Sequence, residues 1–206
     1  MNIPEVFPVE EENFNIRDSS FYHDFSEALY QWIPEHRELV IACVGTDRST
    51  GDSFGPFVGS MLEEQELHSF HVLGTIEEPL HAGNLEERLS EIHDTFEHPF
   101  VIAVDACLGR VSHIGSLNVA KGPLSPGAAL KKELPKFGEA HINGIVNVQG
   151  FMEFAVLQNT RLHTVLSLAS ATASALLTLD AKLKSERIRT TPYNSLLNRG
   201  KKHVRD

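Results

Sequence analysis

An unbroken apolar run, Leu39-Val40-Ile41-Ala42-Cys43-Val44, constrains this chain more than any other feature. It is rich in branched residues and shows no polar alternation. That predicts a strand covered on both faces, as in the parallel sheet of an α/β protein. The run stops at Gly45 and gives way to a polar loop, Thr46-Asp47-Arg48-Ser49-Thr50-Gly51-Asp52. Helical spacing then takes over: Phe54, Val58, Met61 and Leu62 share one face, and Pro56 suits a first helical turn. Strand, polar loop, helix is the order that sets ligands at the carboxyl end of a strand. Two aspartates and an arginine in such a loop need a reason.

The same alternation recurs along the chain. Asp24 and Glu27 form a capping box for a helix whose face is Phe25, Leu29 and Trp32, and Pro34 ends it. His71 to Ile76 predicts a strand, 77–83 a loop. Asn84 with Glu87 opens a helix with Leu85, Leu89, Ile92 and Phe96 on one stripe. Phe100 to Val104 is a second all-apolar strand that runs into Asp105-Ala106-Cys107. Such alternation implies βαβ units. Ile114 to Lys121 alternates after a short connection and predicts an antiparallel edge strand. A short helix is expected over Ala128 to Leu134 and a strand over Ala140 to Val148. One or two helices should cover Gly150 to Lys184. Met152, Ala155 and Val156, then Leu162, Val165, Leu166 and Ala169, are expected to face inward. Ala171, Ala173, Ser174 and Ala175 would permit close packing on the sheet. The whole predicts one three-layer α/β domain over 1–206 with a mainly parallel, partly mixed sheet. An acidic arm (1–20) precedes it and a solvated basic tail (186–206) follows.

Bulk properties narrow the function classes. At 206 residues the chain can bury a sizeable core. A net charge of −10 argues against a general nucleic-acid binder, which needs clustered Lys and Arg. The stretch Leu162 to Leu179 lacks acidic and basic side chains other than His163. Its many Ser and Thr residues predict a buried core helix, not a membrane span. The acidic start has no apolar leader, and the two cysteines, Cys43 and Cys107, fall in predicted core strands. Both points predict a cytoplasmic protein with reduced thiols.

Asp52 and Asp105 are the leading candidates for chemistry. Each follows a predicted parallel strand, so neighbouring strands would turn both carboxylates into one crevice. Two close carboxylates push their pKa values apart, so one can hold a proton while the other activates water. The same pair could instead hold a divalent metal, with His141 as third ligand. Structural roles stand beside these: Asp52 as a helix cap, Asp105 as a cap or as partner of Arg48 or Arg110. Asp47, Arg48, His81 and Asn143 are candidate binding residues around the crevice. Local pairing or turn formation is the alternative for each. Nucleophilic catalysis is disfavoured, because Cys107 fits a buried structural thiol better. No Walker A lysine or GxGxxG turn is present.

At three motifs the chain resembles a known group. VGTDRSTGDSFGP (44–56), IAVDACLG (102–109) and HINGIVNVQGFMEFAVLQNTRL (141–162) are similar to YyaC-type sporulation proteins of spore-forming bacteria. That group resembles the spore germination protease, an atypical aspartic-type peptidase, and the hydrogenase maturation proteases. The resemblance implies a phosphorylase/hydrolase-like α/β fold. It also implies that Asp52, within Asp52-Ser53-Phe54-Gly55-Pro56, and Asp105, within Val104-Asp105-Ala106, match the catalytic aspartates of the germination protease. The hydrogenase proteases bind nickel through an acidic residue, an Asp and a later His, and His141 is the position that would match. The chain departs from these relatives in being much shorter than the germination protease. It also lacks a clear hydrogenase-recognition segment. The expected function is a sporulation-associated, peptidase-like hydrolase. It would act on a peptide or protein in the sporulating cell or spore, with no cofactor required beyond a possible divalent metal. The alternative is a non-catalytic sporulation protein that binds a peptide, anion or metal in the same crevice.

Overall fold

The apolar runs of the sequence become the middle of a six-stranded mixed sheet. The computed structural model of the chain describes residues 10–126 and 134–190. In chain order the elements are β1 (Glu11–Asn15), α1 (Phe21–Tyr30), β2 (Leu39–Cys43), α2 (Phe54–Glu63), β3 (Phe70–Leu73) and α3 (Leu85–Thr95). They continue with β4 (Phe100–Gly109), β5 (Ser116–Lys121), β6 (Ala140–Val148), α4 (Glu153–Gln158) and α5 (Leu162–Thr190), and a 3-10 turn at Val111–His113 follows β4. The sheet order is β1-β5-β6-β4-β2-β3. The strands β6, β4, β2 and β3 are parallel, while β5 runs antiparallel to β6 and β1 antiparallel to β5.

Side-chain alternation divides the core into two layers. Ile41 and Cys43 of β2 and Ile102 and Val104 of β4 join the cluster under α1, α2 and α5. Val40, Ala42, Val101 and Ala103 point the other way, onto Leu85 and Ile92 of α3. Helices therefore cover both sheet faces, and the three-layer α/β expectation holds. The stretch Leu162–Glu186 of α5 is long and apolar enough to cross a membrane by length and composition. Here Val165, Leu168, Leu176 and Leu179 are buried in the first cluster.

Several boundaries differ from the sequence expectations, each for a tertiary reason. Residues 11–15 of the acidic arm are a strand, not irregular chain, because β5 offers a free edge and Phe14 enters the core against Phe21 and Phe25. As a result β5 is not the edge strand. Helix α1 begins at Phe21 because burial of that ring extends it upstream. Asp24 then lies inside its first turn, and Glu27 pairs with Lys182 of α5 instead of closing a capping box. The predicted strand at 71–76 is real but shorter, at 70–73. Asn84 does precede α3, but its side chain accepts from the His81 N–H at 2.8 Å and caps no helical N–H. Met152 and Leu162 are 65% and 50% exposed, not inward-facing. Helix α5 runs on to Thr190, through the first part of the predicted basic tail. The short helix expected at 128–134, like the ends of both terminal segments, falls mainly outside the described residues.

One buried carboxylate ties the long helix to the sheet. Asp180, 3% exposed, accepts hydrogen bonds from the Ser69 N–H at 2.7 Å and the His68 N–H at 3.1 Å. Those amides lead into β3, so their satisfaction fixes where β3 starts. Asp180→Ala leaves them unpaired and should lower unfolding free energy by about 2–3 kcal/mol. Asp180→Asn, which keeps an acceptor, should lose less. Denaturant titration of the three proteins measures both, and equal stability of Asp180→Ala and the parent would refute this anchor role.

Candidate functional site

Strands of unequal length create the crevice. β2 is paired with β4 only through Cys43 opposite Val104. β4 continues for five more residues because β6 pairs with it out to Val148, with a register shift after Cys107. Asp105 is the first β4 residue beyond the end of β2. It therefore lies inside a strand, not at a strand end as expected. By alternation it follows Val101 and Ala103 on the α3 side of the sheet, one step past the apolar cover of that layer. Opposite it in register stands Asn143 of β6, which stands in turn opposite Asn118 of β5.

The loop after β2 brings Asp52 to the same place. Gly45 adopts φ +151, and a Cβ there would come within 1.9 Å of the Asp52 carbonyl oxygen. Only glycine admits so close a fold-back. The Thr46 N–H donates to that carbonyl at 3.2 Å and closes the loop. The Gly51 N–H donates to the Leu157 carbonyl of α4 at 2.9 Å and holds its far side. The cap position of α2 is Ser53, and no side chain caps the helix. The Asp52 carboxylate is therefore not a helix cap, and it makes no ion pair among the described residues. Asp105 also pairs with neither Arg48 nor Arg110. Its Oδ1 accepts only from the Ala106 N–H, at 2.8 Å.

Both carboxyls are shifted toward the protonated form, Asp105 the further. Burial pushes Asp105 up to about 8, opposed by the Ala106 hydrogen bond and reinforced by the negative charge of Asp52. That last contribution sets the Asp52 charge near enough to act on Asp105. Burial also raises Asp52, with the neighbouring Ser49 hydroxyl acting in opposition. Ser49 is 6% exposed, and its hydroxyl meets no full hydrogen-bond geometry. Near neutrality the Asp105 carboxyl therefore holds its proton. Cys107, on the same face two residues on, is pushed up to about 12 by burial and by Asp105, so it is a thiol and not a nucleophile. Cys43 is fully buried and also raised by burial.

The remaining candidates are distributed around this pair. Asp47 and Arg48 are exposed on the loop, joined by Thr46, whose hydroxyl accepts from the Arg48 N–H at 3.3 Å. His81 follows Leu80, whose carbonyl accepts from the Gly45 N–H. Its own ring is turned to the Gly83 N–H and lines a shallow pocket with Glu78, Glu87 and Arg88 along α3. Both surface pockets found along α3 lie away from the aspartates. His141 sits two residues before Asn143 on β6, so its ring lies one step down the strand from Asp105. Its Nδ1 donates to the Gly122 carbonyl at 2.9 Å. Among the described residues no three His, Cys, Asp or Glu side chains gather as metal ligands. Asp52, Asp105 and His141 are thus not assembled as a metal set. Sequence reasoning missed the apolar side chains beside this site. Phe151 and Phe154 follow β6 and are 91% and 51% exposed. The motif Gly150-Phe151-Met152 carried the signal, but helical periodicity assigned its neighbours to the core.

Comparisons with known proteins place the chain. Residues 13–175 match the family model described as protein of unknown function, DUF1256. Over 153 residues the chain is 52% identical to the uncharacterized protein YyaC of Bacillus subtilis, covering 74% of this chain and 75% of that protein. Among solved structures it is similar to the [NiFe] hydrogenase maturation protease HycI from Thermococcus kodakarensis. That match has 17% identity and a TM-score of 0.47, over 72% of this chain and 98% of the other. A hydrogenase 3 maturation protease is similar at 14% identity and a TM-score of 0.41, over 68% and 89% of the two chains. On the family match and the YyaC identity, this chain belongs to the DUF1256 family.

Proposed function

We propose that this protein is a sporulation-associated, peptidase-like hydrolase of the cytoplasm whose substrate is a peptide or protein. The observation that carries the reading is the Asp52–Asp105 pair. The Asp52 charge acts on Asp105, one carboxyl standing on the loop after β2 and the other within β4 just beyond the end of β2, and among the described residues neither is used as a cap or an ion pair. Their environments differ, which separates an acid from a base. Asp52, ionised, takes a proton from a water as its oxygen attacks the peptide carbonyl. Asp105, protonated, gives its proton to the carbonyl oxygen. The tetrahedral diol then collapses: the C–N bond breaks, Asp52 passes its proton to the leaving nitrogen, and the diol returns one to Asp105. Charge never accumulates in the crevice, and the pair ends as it began.

The rival reading is binding of a peptide or anion in the same crevice without cleavage. The exposed Arg48 on the loop beside Asp52 favours it. A proteolysis screen on small spore proteins separates the two. Asp105→Asn should abolish cleavage, since the amide cannot supply the proton. If the parent cleaves none of these proteins and Asp105→Asn is destabilised, the catalytic reading falls and the binding reading stands.

The raised carboxyl also gives a pH signature of defined sign. Unfolded Asp105 titrates near its ordinary 3.8 and the folded carboxyl at about 8. Between those values the folded state holds a proton that the unfolded state has released. Stability contributed by this group is therefore present at low pH, falls as pH rises toward 8 and is flat above. Asp105→Asn should flatten that fall and be more stable than the parent at pH 8 by about 1–2 kcal/mol. Thermal melts of both proteins from pH 5 to 9 measure it, and parallel curves would count against the burial of this charge. Cleavage by the parent should decline through the same upper limit as Asp105 loses its proton.

A further inference from the structure

We infer that the rim beside the Asp52–Asp105 crevice is built to hold a polypeptide segment that combines large apolar side chains with carboxylates. This rests on the reading of the crevice as a polypeptide site and adds the chemistry of what enters it. Of the eight exposed large apolar residues among those described, seven lie at one end of the molecule. Val111 and Ile114 follow β4 and are 72% and 36% exposed. Phe151, Met152 and Phe154 follow β6, and Leu162 begins α5. Hydrogen bonds tie these connections together. The Gly115 N–H donates to the Ile145 carbonyl, and the Gln149 N–H to the Gly109 carbonyl. The Asn147 amide reaches the Thr160 hydroxyl at 3.2 Å.

The patch is continuous with the crevice. Phe154 lies one helical turn before Leu157, and the Leu157 carbonyl accepts from the Gly51 N–H, the residue next to Asp52. Met152 has φ +59, a left-handed conformation uncommon outside glycine. Exposed aromatics grouped on a turn beside the carboxyl pair mark an interaction surface.

Charge selects the occupant. Three arginines stand on the connections that follow three parallel strands: Arg48 after β2, Arg110 directly after β4, and Arg161 between α4 and α5, beyond β6. All three are exposed, and none forms an ion pair with a described residue. Elsewhere Arg37 and Arg88 are paired, while Arg17, beside β1, is exposed without an ion pair. Among the described residues the acidic groups near these arginines are Asp47, Glu153 and the crevice's own Asp52, in a chain whose net charge is −10. A second copy docked by the same face would set these arginines against their own images, which costs binding energy. A segment bearing Phe or Leu beside Glu or Asp would instead satisfy both the apolar and the cationic parts.

The test is fluorescence anisotropy of the full chain with short fluorescein-labelled peptides of three compositions. One carries Phe, Leu and Glu; one replaces Phe and Leu by Ser; one replaces Glu by Lys. The first should bind about tenfold or more tighter than either control. The double variant Phe151→Ser/Phe154→Ser should lose about tenfold on the first peptide with an unchanged melting temperature. Arg110→Glu should weaken the glutamate peptide and favour the lysine one. Asp105→Asn should bind the first peptide at least as well as the parent, so loss of cleavage and loss of recognition are read separately. Equal binding of the three peptides, or full affinity in the double variant, overturns the inference. So does a parent dimer in sedimentation that Phe151→Ser/Phe154→Ser converts to monomer, since the patch would then cover a second copy.

Discussion

The parallel pairing of β4 with a short strand on one side and a long one on the other is the constraint on which this site depends. Backbone amides and carbonyls must be paired wherever they are buried. β6 satisfies β4 out to Gly109, whereas β2 stops at Cys43. Beyond that level β4 loses a neighbour and the α3 layer ends. A carboxyl placed there is enclosed enough to be poorly hydrated yet open toward the rim. The resulting desolvation is what raises Asp105.

Glycines let the loops come close enough to use that opening. Gly45 allows the Asp52 carbonyl to fold onto the end of β2. On the other face a Cβ at Gly144 would meet the Phe54 ring at 2.7 Å, so α2 can pack directly over β6. Packing of Phe54 thus fixes α2, and α2 fixes the loop that carries Asp52. The side of the sheet away from the chemistry is rigid for that reason. Phe21, Phe25 and Phe54 are fully enclosed, and α5 fills the layer between them. The exposed aromatics of the rim stand in contrast to this economy of apolar surface.

Much of the fold was legible along the chain because its signals are local. A continuous branched run has one common solution, a strand covered on both faces, and Leu39–Cys43 and Phe100–Val104 both took it. The stripe of Leu85, Leu89, Ile92 and Phe96 located α3 in the same way. Signals that depend on a distant partner were misread. β1 exists because β5 has a free edge, α1 starts early because Phe21 meets Phe14, and β4 runs long because β6 accompanies it. Met152 and Leu162 have the periodicity of core residues but no opposing surface. Periodicity reports which residues share a face, not whether anything covers it.

The sequence by itself determined an α/β sandwich of alternating strands and helices, and it singled out Asp52 and Asp105 as residues without an obvious local task. Those conclusions follow from side-chain period and from residue types placed after apolar strands, which chain order alone specifies. Only the tertiary structure decided that the Asp52 charge acts on Asp105, that Asp52 caps no helix, and that His141 is directed to the Gly122 carbonyl. Only it placed Arg48, Arg110 and Arg161 on one rim with Phe151 and Phe154. Strand order and strand length are set by long-range pairing, and proximity between distant residues exists only once that pairing has formed.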